Sequence, residues 1–403
     1  MKTSIINTIN RIEHFLITHQ KWLQLLAIIV VVLRFVWLNV INWHSGEISN
    51  GLPGIKYWLD SNRYLFGAES ILSGEGLEGR QFQFIGYILI IALLKLFSLP
   101  DISIIIFQLL LASLAAYALY DIVKNLSQSR FAAIFVMALF LCNPFIVKWH
   151  LYILTESIYT SMVILFFWRL VKMIKKPAPK NYLFTAITLI ITMFIRPNGW
   201  ILLPVFIVLL INSFSLSQHL KSSLIVVSLF AFVFLMGAVG RVRDSIQITT
   251  PVQNLQEGIT VWGHPELNLA MPQANDIEYA DWVGGMEYIV RYPIASVKIG
   301  AARVGYTLIH IRPHHSTAYK IRILFWILPA YLLSLFSLKS FRQKPEIFAA
   351  LFIIFAHLLV VAVSYAEHDS RFDIYILPIF YVLAGIGLSN IIAYFKSKLK
   401  KEK

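Results

Sequence analysis

Apolar residues fill this chain in long blocks separated by short polar stretches. Runs such as Leu23–Leu33, Ile102–Leu119 and Phe372–Leu388 lie within blocks long enough to cross hydrocarbon as helices, which takes roughly 20 mostly apolar residues. An isolated strand would leave its backbone groups unbonded in lipid, so the spans are expected to be helical. The pattern predicts an all-α polytopic membrane protein with about ten spans, at 22–41, 102–123, 131–148, 152–171, 182–195, 200–212, 222–240, 321–338, 347–365 and 372–394. Two of these, 182–195 and 200–212, are short and flank Arg196-Pro197-Asn198-Gly199, where proline and glycine predict a break between an entering and a leaving helix.

Composition agrees with the pattern. Of 403 residues, 58% are hydrophobic, and the mean hydropathy of +0.69 is too high for a soluble domain. The N-terminus does not read as a cleavable signal, because a polar stretch leads into a full-length span with no small-residue cleavage pattern. One cysteine, Cys142, excludes an internal disulfide framework. The net charge of +14 is no nucleic-acid signal: Lys and Arg collect in short loops and in the tail Lys396–Lys403, as positive-inside topology produces.

That rule places both termini in the cytoplasm. The inner segments 1–21, 124–130, 172–181, 213–221, 339–346 and 395–403 hold 18 Lys/Arg, with Lys172, Lys175, Lys176 and Lys180 as one group. Only Glu13, Asp121, Glu346 and Glu402 among the acids are expected on that side, so acidic chemistry gathers on the outer one. Residues 82–98 resemble an eleventh span, but a crossing there would invert every later loop and turn Lys172–Lys180 outward. The segment therefore reads as an interfacial or re-entrant helix.

This topology predicts a membrane module over 1–240, an outer loop or cap over 241–320, and C-terminal membrane helices with a basic tail over 321–403. The first outer loop, 42–101, contains 58–72, where Trp58, Leu65, Ala68 and Leu72 recur at helical spacing and predict a membrane-lying face, with Gly74, Gly76 and Gly79 stopping the helix. The second outer loop carries turn signals at Pro251, Gly263-His264-Pro265 and Gly284-Gly285.

Several polar residues stand out against this background, each with a bland alternative. Asp60, in Asp60-Ser61-Asn62-Arg63-Tyr64, is placed to serve as a general base at the membrane surface. Arg63 and Tyr64 share its face if the segment is helical, to hold a phosphate oxygen and to donate a hydrogen bond. The alternative is that Asp60 or Ser61 merely caps the helix. Glu156 opens a span after Asn143-Pro144 and Lys148, and is either a second catalytic acid or a cap favoured by the helix dipole. If a divalent cation is used, Asp60 and Glu156 supply oxygens suited to Mg²⁺ or Mn²⁺, although two acids far apart in sequence are a weak metal signal. Arg196, at membrane depth, is a functional residue by default and matches phosphate oxygens, with snorkelling as its alternative. Arg371, in Glu367-His368-Asp369-Ser370-Arg371, is a second phosphate clamp or a member of a local charge cluster. The histidines His264, His310, His314, His315 and His368 show no metal-ligand spacing.

The ordered set resembles the glycosyltransferase C superfamily, in particular the polytopic branch that includes aminoarabinose transferases of lipid A and protein O-mannosyltransferases. Four stretches carry the resemblance: Asp60-Ser61-Asn62-Arg63-Tyr64 with Ala68 and Gly74; Asn143-Pro144 followed by Leu154-Thr155-Glu156-Ser157; Arg196-Pro197-Asn198-Gly199; and Arg371 with Pro378 and Gly385-Ile386-Gly387-Leu388. The resemblance implies a polyprenyl-phospho-sugar donor used on the extracytoplasmic face of a bacterial inner (plasma) membrane. Asp60 would stand in the place of the catalytic acid, with Glu156 beside it. Arg63, Tyr64, Lys148, Arg196 and Arg371 would bind substrate, and Arg196 would face the lipid phosphate. Relatives often carry a second acid next to the first, where this chain has Ser61.

The expected activity is an inverting sugar transfer to a lipid, glycan or protein acceptor. The rival is a non-enzymatic flippase or transporter of lipid-linked glycans, which usually shows paired halves and midplane polar residues; a catalytically dead scaffold is a third reading. No internal repeat is visible here, and the strong charges lie near predicted span ends.

Overall fold

The computed structural model describes residues 20–44, 54–243, 251–274, 276–277, 282–341, 343–367, 371 and 374–401. Every extended element among them is a helix, and the only strand-like pairings are two isolated bridges, Lys56 with Tyr152 and Val261 with Ala366. In chain order the helices are α1 (Gln20–His44), α2 (Leu59–Ser73), α3 (Ile85–Leu96), α4 (Ile102–Ser127), α5 (Arg130–Cys142), α6 (Thr155–Lys175), α7 (Pro179–Ile195), α8 (Leu202–Ser213), α9 (Gln218–Arg243), α10 (Pro251–Gln256), α11 (Trp282–Arg291), α12 (Pro293–Ile309), α13 (Thr317–Leu335), α14 (Pro345–Val363) and α15 (Leu377–Lys401).

Seven helices among the described residues have the length and composition to cross a membrane. An eighth is counted if α5 and the turns Pro144–Leu151 form one span bent by 47°. The sequence-based count of about ten is not reached. The expected spans 182–195 and 200–212 are shorter apolar helices, and the single span expected at 131–148 breaks where Asn143 leaves helical geometry to cap the turn that begins at Pro144. Proline there lacks the N–H needed to continue the ladder.

α6 is the central helix: from Thr155 to Phe167 every residue is buried. Around it the bundle has two distinct ends. At one, the C-terminal carbonyls of α4 are met by cations and a hydroxyl: Lys175 Nζ donates to Asn125 O at 2.8 Å, Lys344 Nζ to Leu126 O at 2.6 Å and Ser389 Oγ to Ser127 O at 3.1 Å. Helix C-termini leave such carbonyls unsatisfied and favour positive charge. The other end collects the start of α6, the end of α7, Asp60 and Arg371.

Residues 54–58 hold the polar end together. Lys56 N donates to Leu151 O at 2.9 Å, Ile153 N donates to Lys56 O at 3.1 Å, and the Tyr57 hydroxyl donates to Asp101 at 2.8 Å. Gly54, at φ +93°, lies so close to the Trp43 ring that a Cβ would fall 1.9 Å from it. The end of α1 and the start of α4 are thus fastened to the same short segment, so the chain between them returns to the end it left. That segment contains a 3₁₀ turn, Gly79–Phe84, and the 12-residue α3. Gly79–Leu96 has the length and composition of a span and is one of the seven.

On α2, Ser61, Tyr64 and Ala68 point inward, so Ala68 leaves the expected membrane-lying face, while Trp58 and Leu72 of that face are exposed. Tyr64 decides the register: its ring packs edge-on against Phe84 and Tyr87, with centroids 5.2 and 5.1 Å away. α2 stops as predicted, at Gly74 with φ +83°.

α13 and α15 approach closely at Gly387, where a Cβ would lie 1.9 Å from Leu333 O. Small residues allow such backbone approach between membrane helices. Because backbone cannot yield, Gly387→Ala is expected to destabilise the protein by about 1–3 kcal/mol, the cost of overpacking, measured as a lowered thermal midpoint in detergent.

Candidate functional site

Four separate stretches of chain deliver charged groups to the polar end. Glu156 sits in the first turn of α6 and is fully buried. Its Oε1 accepts from Arg196 Nη1 at 2.7 Å and from Arg371 at 2.8 Å (Nε) and 2.6 Å (Nη2). Arg371 also reaches Asp60, with Nη2 3.3 Å from Oδ2, while Asp60 Oδ1 is 3.0 Å from Arg63 Nη1. The result is a chain of charges, Arg196–Glu156–Arg371–Asp60–Arg63. Its inner half is dry, and Asp60, 26% exposed, lies at its open end.

Local structure places each member. Arg196 ends α7 in extended geometry before Pro197, which biases its predecessor away from the helical region. Gly199 then packs against α7, where a Cβ would lie 2.4 Å from Thr192 O. This tight return points the Arg196 side chain into the bundle, where Nη1 also donates to Thr155 Oγ1 at 2.8 Å. Its guanidinium lies over the Tyr375 ring at 5.2 Å. That of Arg371 lies 5.8 Å from the Trp149 ring, and cations over aromatic faces gain more where water is excluded. Burial works against the charge on Arg371, and Glu156, Glu367 and Asp60 outweigh it, so its pKa stands above the ordinary arginine value.

Beneath the arginines lies a polar layer in the packed interior. The Tyr159 hydroxyl is 3.0 Å from His357 Nε2, and both rings adjoin Tyr375. On the neighbouring side the Gln108 amide donates to His150 O at 2.8 Å and Tyr152 O at 3.0 Å and accepts from the Tyr87 hydroxyl at 3.2 Å. Asn143 bonds the Tyr381 hydroxyl and caps Phe145 N at 2.8 Å. These bonds fix the segment 143–156 against α4 and α15.

Of the predicted site residues, Asp60, Arg63, Glu156, Arg196 and Arg371 come together. Arg196 is buried and paired, not snorkelling. Arg371 pairs with distant acids; its predicted neighbours His368 and Asp369 lie outside the described residues. The capping alternative for α2 belongs to Ser61, whose hydroxyl accepts from Trp58 N at 2.8 Å, which leaves Asp60 to the arginines. Tyr64 is buried below the site, in an aromatic pocket with Phe84 and Tyr87. Lys148 lies beside the site, its ammonium 4.5 Å from the Trp149 ring. Trp149 and Tyr375 are the members that sequence reasoning passed over. Tyr375 was absorbed into the predicted span 372–394, and Trp149 carried no signal beyond its neighbour Lys148.

The donor set poorly suits a shared cation. Glu156 Oε1 is taken up by two arginines, and Arg371 stands between the two carboxylates. Among the described residues no group of three or more His, Cys, Asp or Glu side chains could hold a metal ion. What the arrangement offers is arginine charge next to a partly exposed carboxylate, suited to gripping an anionic leaving group beside a proton acceptor.

Comparison with known proteins agrees with the resemblance read from the sequence. Residues 84–239 match the family model described as dolichyl-phosphate-mannose-protein mannosyltransferase, a family of the glycosyltransferase C superfamily. The matched stretch includes Asn143, Lys148, Glu156 and Arg196, and leaves out Asp60 and Arg371. No curated protein matches the chain. The family and the apolar helices point to an integral membrane glycosyltransferase.

The two acids are expected to differ sharply in their effect on stability. Removing one partner of a buried ion pair costs about 3–5 kcal/mol, and an exposed pair is worth roughly 1 kcal/mol at most. Glu156→Gln is therefore expected to lower the unfolding free energy severalfold more than Asp60→Asn, measured by denaturant unfolding in detergent.

Proposed function

We propose that this protein transfers a sugar from a polyprenyl-phosphate-type lipid donor to an acceptor on the extracytoplasmic face of a bacterial inner membrane, with inversion at the anomeric carbon. The observation that carries this reading is the shared oxygen of Glu156, which holds two arginines side by side next to the partly exposed Asp60. The mannosyltransferase family match supports a lipid-linked donor, and the basic residues at the opposite end of the bundle support this orientation.

In the proposed reaction the donor phosphate takes the place of Asp60 as a partner of Arg371. Arg371 and Arg196 then stabilise the charge that develops on the departing phosphate, as preorganised donors do at other leaving groups. Asp60, released from Arg371, accepts the proton of the acceptor hydroxyl. The acceptor oxygen forms its bond to the anomeric carbon as the bond from that carbon to the phosphate oxygen breaks, and the electron pair leaves with polyprenyl phosphate. Glu156 remains with the arginines as their positioning residue, and Arg63 holds Asp60 in its rotamer. The positive charge in this scheme comes from arginine, since both oxygens of Asp60 and Oε1 of Glu156 are already paired with guanidiniums. A flippase would need polar groups strung through the bilayer midplane, whereas the charged groups of this site gather at one end of the bundle.

Two measurements test the reading. With a polyprenyl-phospho-sugar donor, Asp60→Asn is expected to lower kcat by roughly 10²–10⁴, the usual contribution of a general base; wild-type-like turnover would remove Asp60 from the mechanism. For orientation, Glu75→Cys and Lys176→Cys are made in a Cys142→Ala background. An impermeant maleimide is expected to label Glu75→Cys in intact cells, and Lys176→Cys only after permeabilisation.

A further inference from the structure

Beside the charged site lies a second constellation, built from the cap and the end of α14. Residues 260–262 pair with Ala366: Ala366 N donates to Thr260 O at 2.9 Å and Trp262 N to Ala366 O at 2.8 Å. The chain then turns, with His264 N donating to Val261 O at 3.2 Å and Gly263 at φ +79°, so that Trp262 occupies the projecting corner. Trp262 is 39% exposed and tilts against Tyr365, with ring centroids 5.0 Å apart. Around the turn, His264 Nδ1 lies 2.7 Å from Glu266 Oε1, and the His264 ring stacks on His314 at 4.5 Å, with the planes 6° apart.

This corner is held rigidly. Arg303, fully buried, donates to three backbone carbonyls: Ile259 at 2.8 Å, Asn254 at 2.9 Å and Ala362 at 3.0 Å. Arg312, also buried, donates to Glu367 O at 3.0 Å. Arg303 thus ties the chain that enters the turn to the end of α14, and Arg312 ties the end of α12 to Glu367, four residues before Arg371. Tyr365 links the two regions. Burial and Glu367 raise its phenol pKa, and Arg196, Arg371 and Arg80 are close enough to oppose that rise.

We propose that Trp262, Tyr365, His264 and Glu266 form a carbohydrate subsite that binds the acceptor, and that the acceptor is a glycan. The inference rests on the transferase reading above and narrows it. Pyranose rings present a face of C–H groups and a rim of hydroxyls. The negative face of an aromatic ring suits the former, and imidazole, carboxylate and phenol groups around it suit the latter. Binding sites commonly combine aromatic walls with a few placed polar groups.

The test reads binding without any donor. Full-length protein in nanodiscs is mixed with maltotetraose, cellotetraose, chitotetraose or a threonine-rich peptide, and contact is followed by saturation-transfer NMR. At least one tetrasaccharide is expected to show transfer, its affinity falling tenfold or more in Trp262→Ala and being largely kept in Trp262→Tyr. Thermal unfolding confirms that each variant is folded, and His264→Ala replaces Trp262→Ala if that variant is not. Transfer to the peptide alone, to none of the sugars, or equally in wild type and the alanine variant overturns the proposal; the last result would make Trp262 an interfacial anchor. Oligosaccharide binding without sugar transfer from a lipid donor would instead count against the transferase reading alone.

Discussion

The polar end of this bundle depends on one oxygen atom. Glu156 Oε1 is shared by Arg196 and Arg371 in a setting from which the Glu156 side chain sees no solvent. Taking each ion out of water costs several kcal/mol, and a pair at about 4 Å returns roughly 4 kcal/mol at an effective dielectric near 20. Cost and return are of similar size, so the pairing contributes geometry more than stability. It brings two like charges together and holds them in fixed directions. Three distant stretches of sequence, the start of α6, the end of α7 and the approach to α15, must meet for it to exist.

The rest of the architecture can be understood as what that meeting requires. α6 brings Glu156 to the end of the bundle on a helix whose first thirteen positions are buried. Pro197 and Gly199 turn the chain sharply enough for Arg196 to aim inward. Gln108, Asn143 and the Lys56–Tyr152 bridge fix the segment before Glu156, while Arg312 and the Val261–Ala366 bridge fix the segment before Arg371. Asp60 arrives last, on an amphipathic helix whose position is set by Tyr64, and it keeps partial access to solvent. The buried, fixed geometry is thus placed at Glu156, and accessibility is left to Asp60.

Much of this was legible in the residues. The helical class follows from long apolar blocks. The gathering of Asp60, Glu156, Arg196 and Arg371 could be anticipated because charges at predicted span ends demand partners. The re-entrant reading of 82–98 rested on the placement of lysines. Other features were hidden for physical reasons. Hydropathy records transfer free energy, not helix continuity, so it merged α5 with the turns after Asn143 and could not register the bend. Spacing on α2 placed Ala68 with Trp58 and Leu72, whereas packing of Tyr64 against Phe84 and Tyr87, which belong to later turns of the chain, set Ala68 inward. Tyr375 looked like one more apolar residue of a span because its role as a seat for Arg196 exists only after folding. Arg303 and Arg312 carried no motif; carbonyl partners such as Asn254, Ala362 and Glu367 lie at least 49 residues away and come near only in the fold.

The central claim is that the two arginines held by Glu156 grip the phosphate of a lipid carrier. Equilibrium binding of polyprenyl phosphate to the purified protein, compared between wild type and Arg371→Gln, addresses it without requiring the acceptor to be known. The account predicts that the variant, still folded by its thermal midpoint, binds polyprenyl phosphate at least tenfold more weakly. Equal affinity in the two proteins would contradict it.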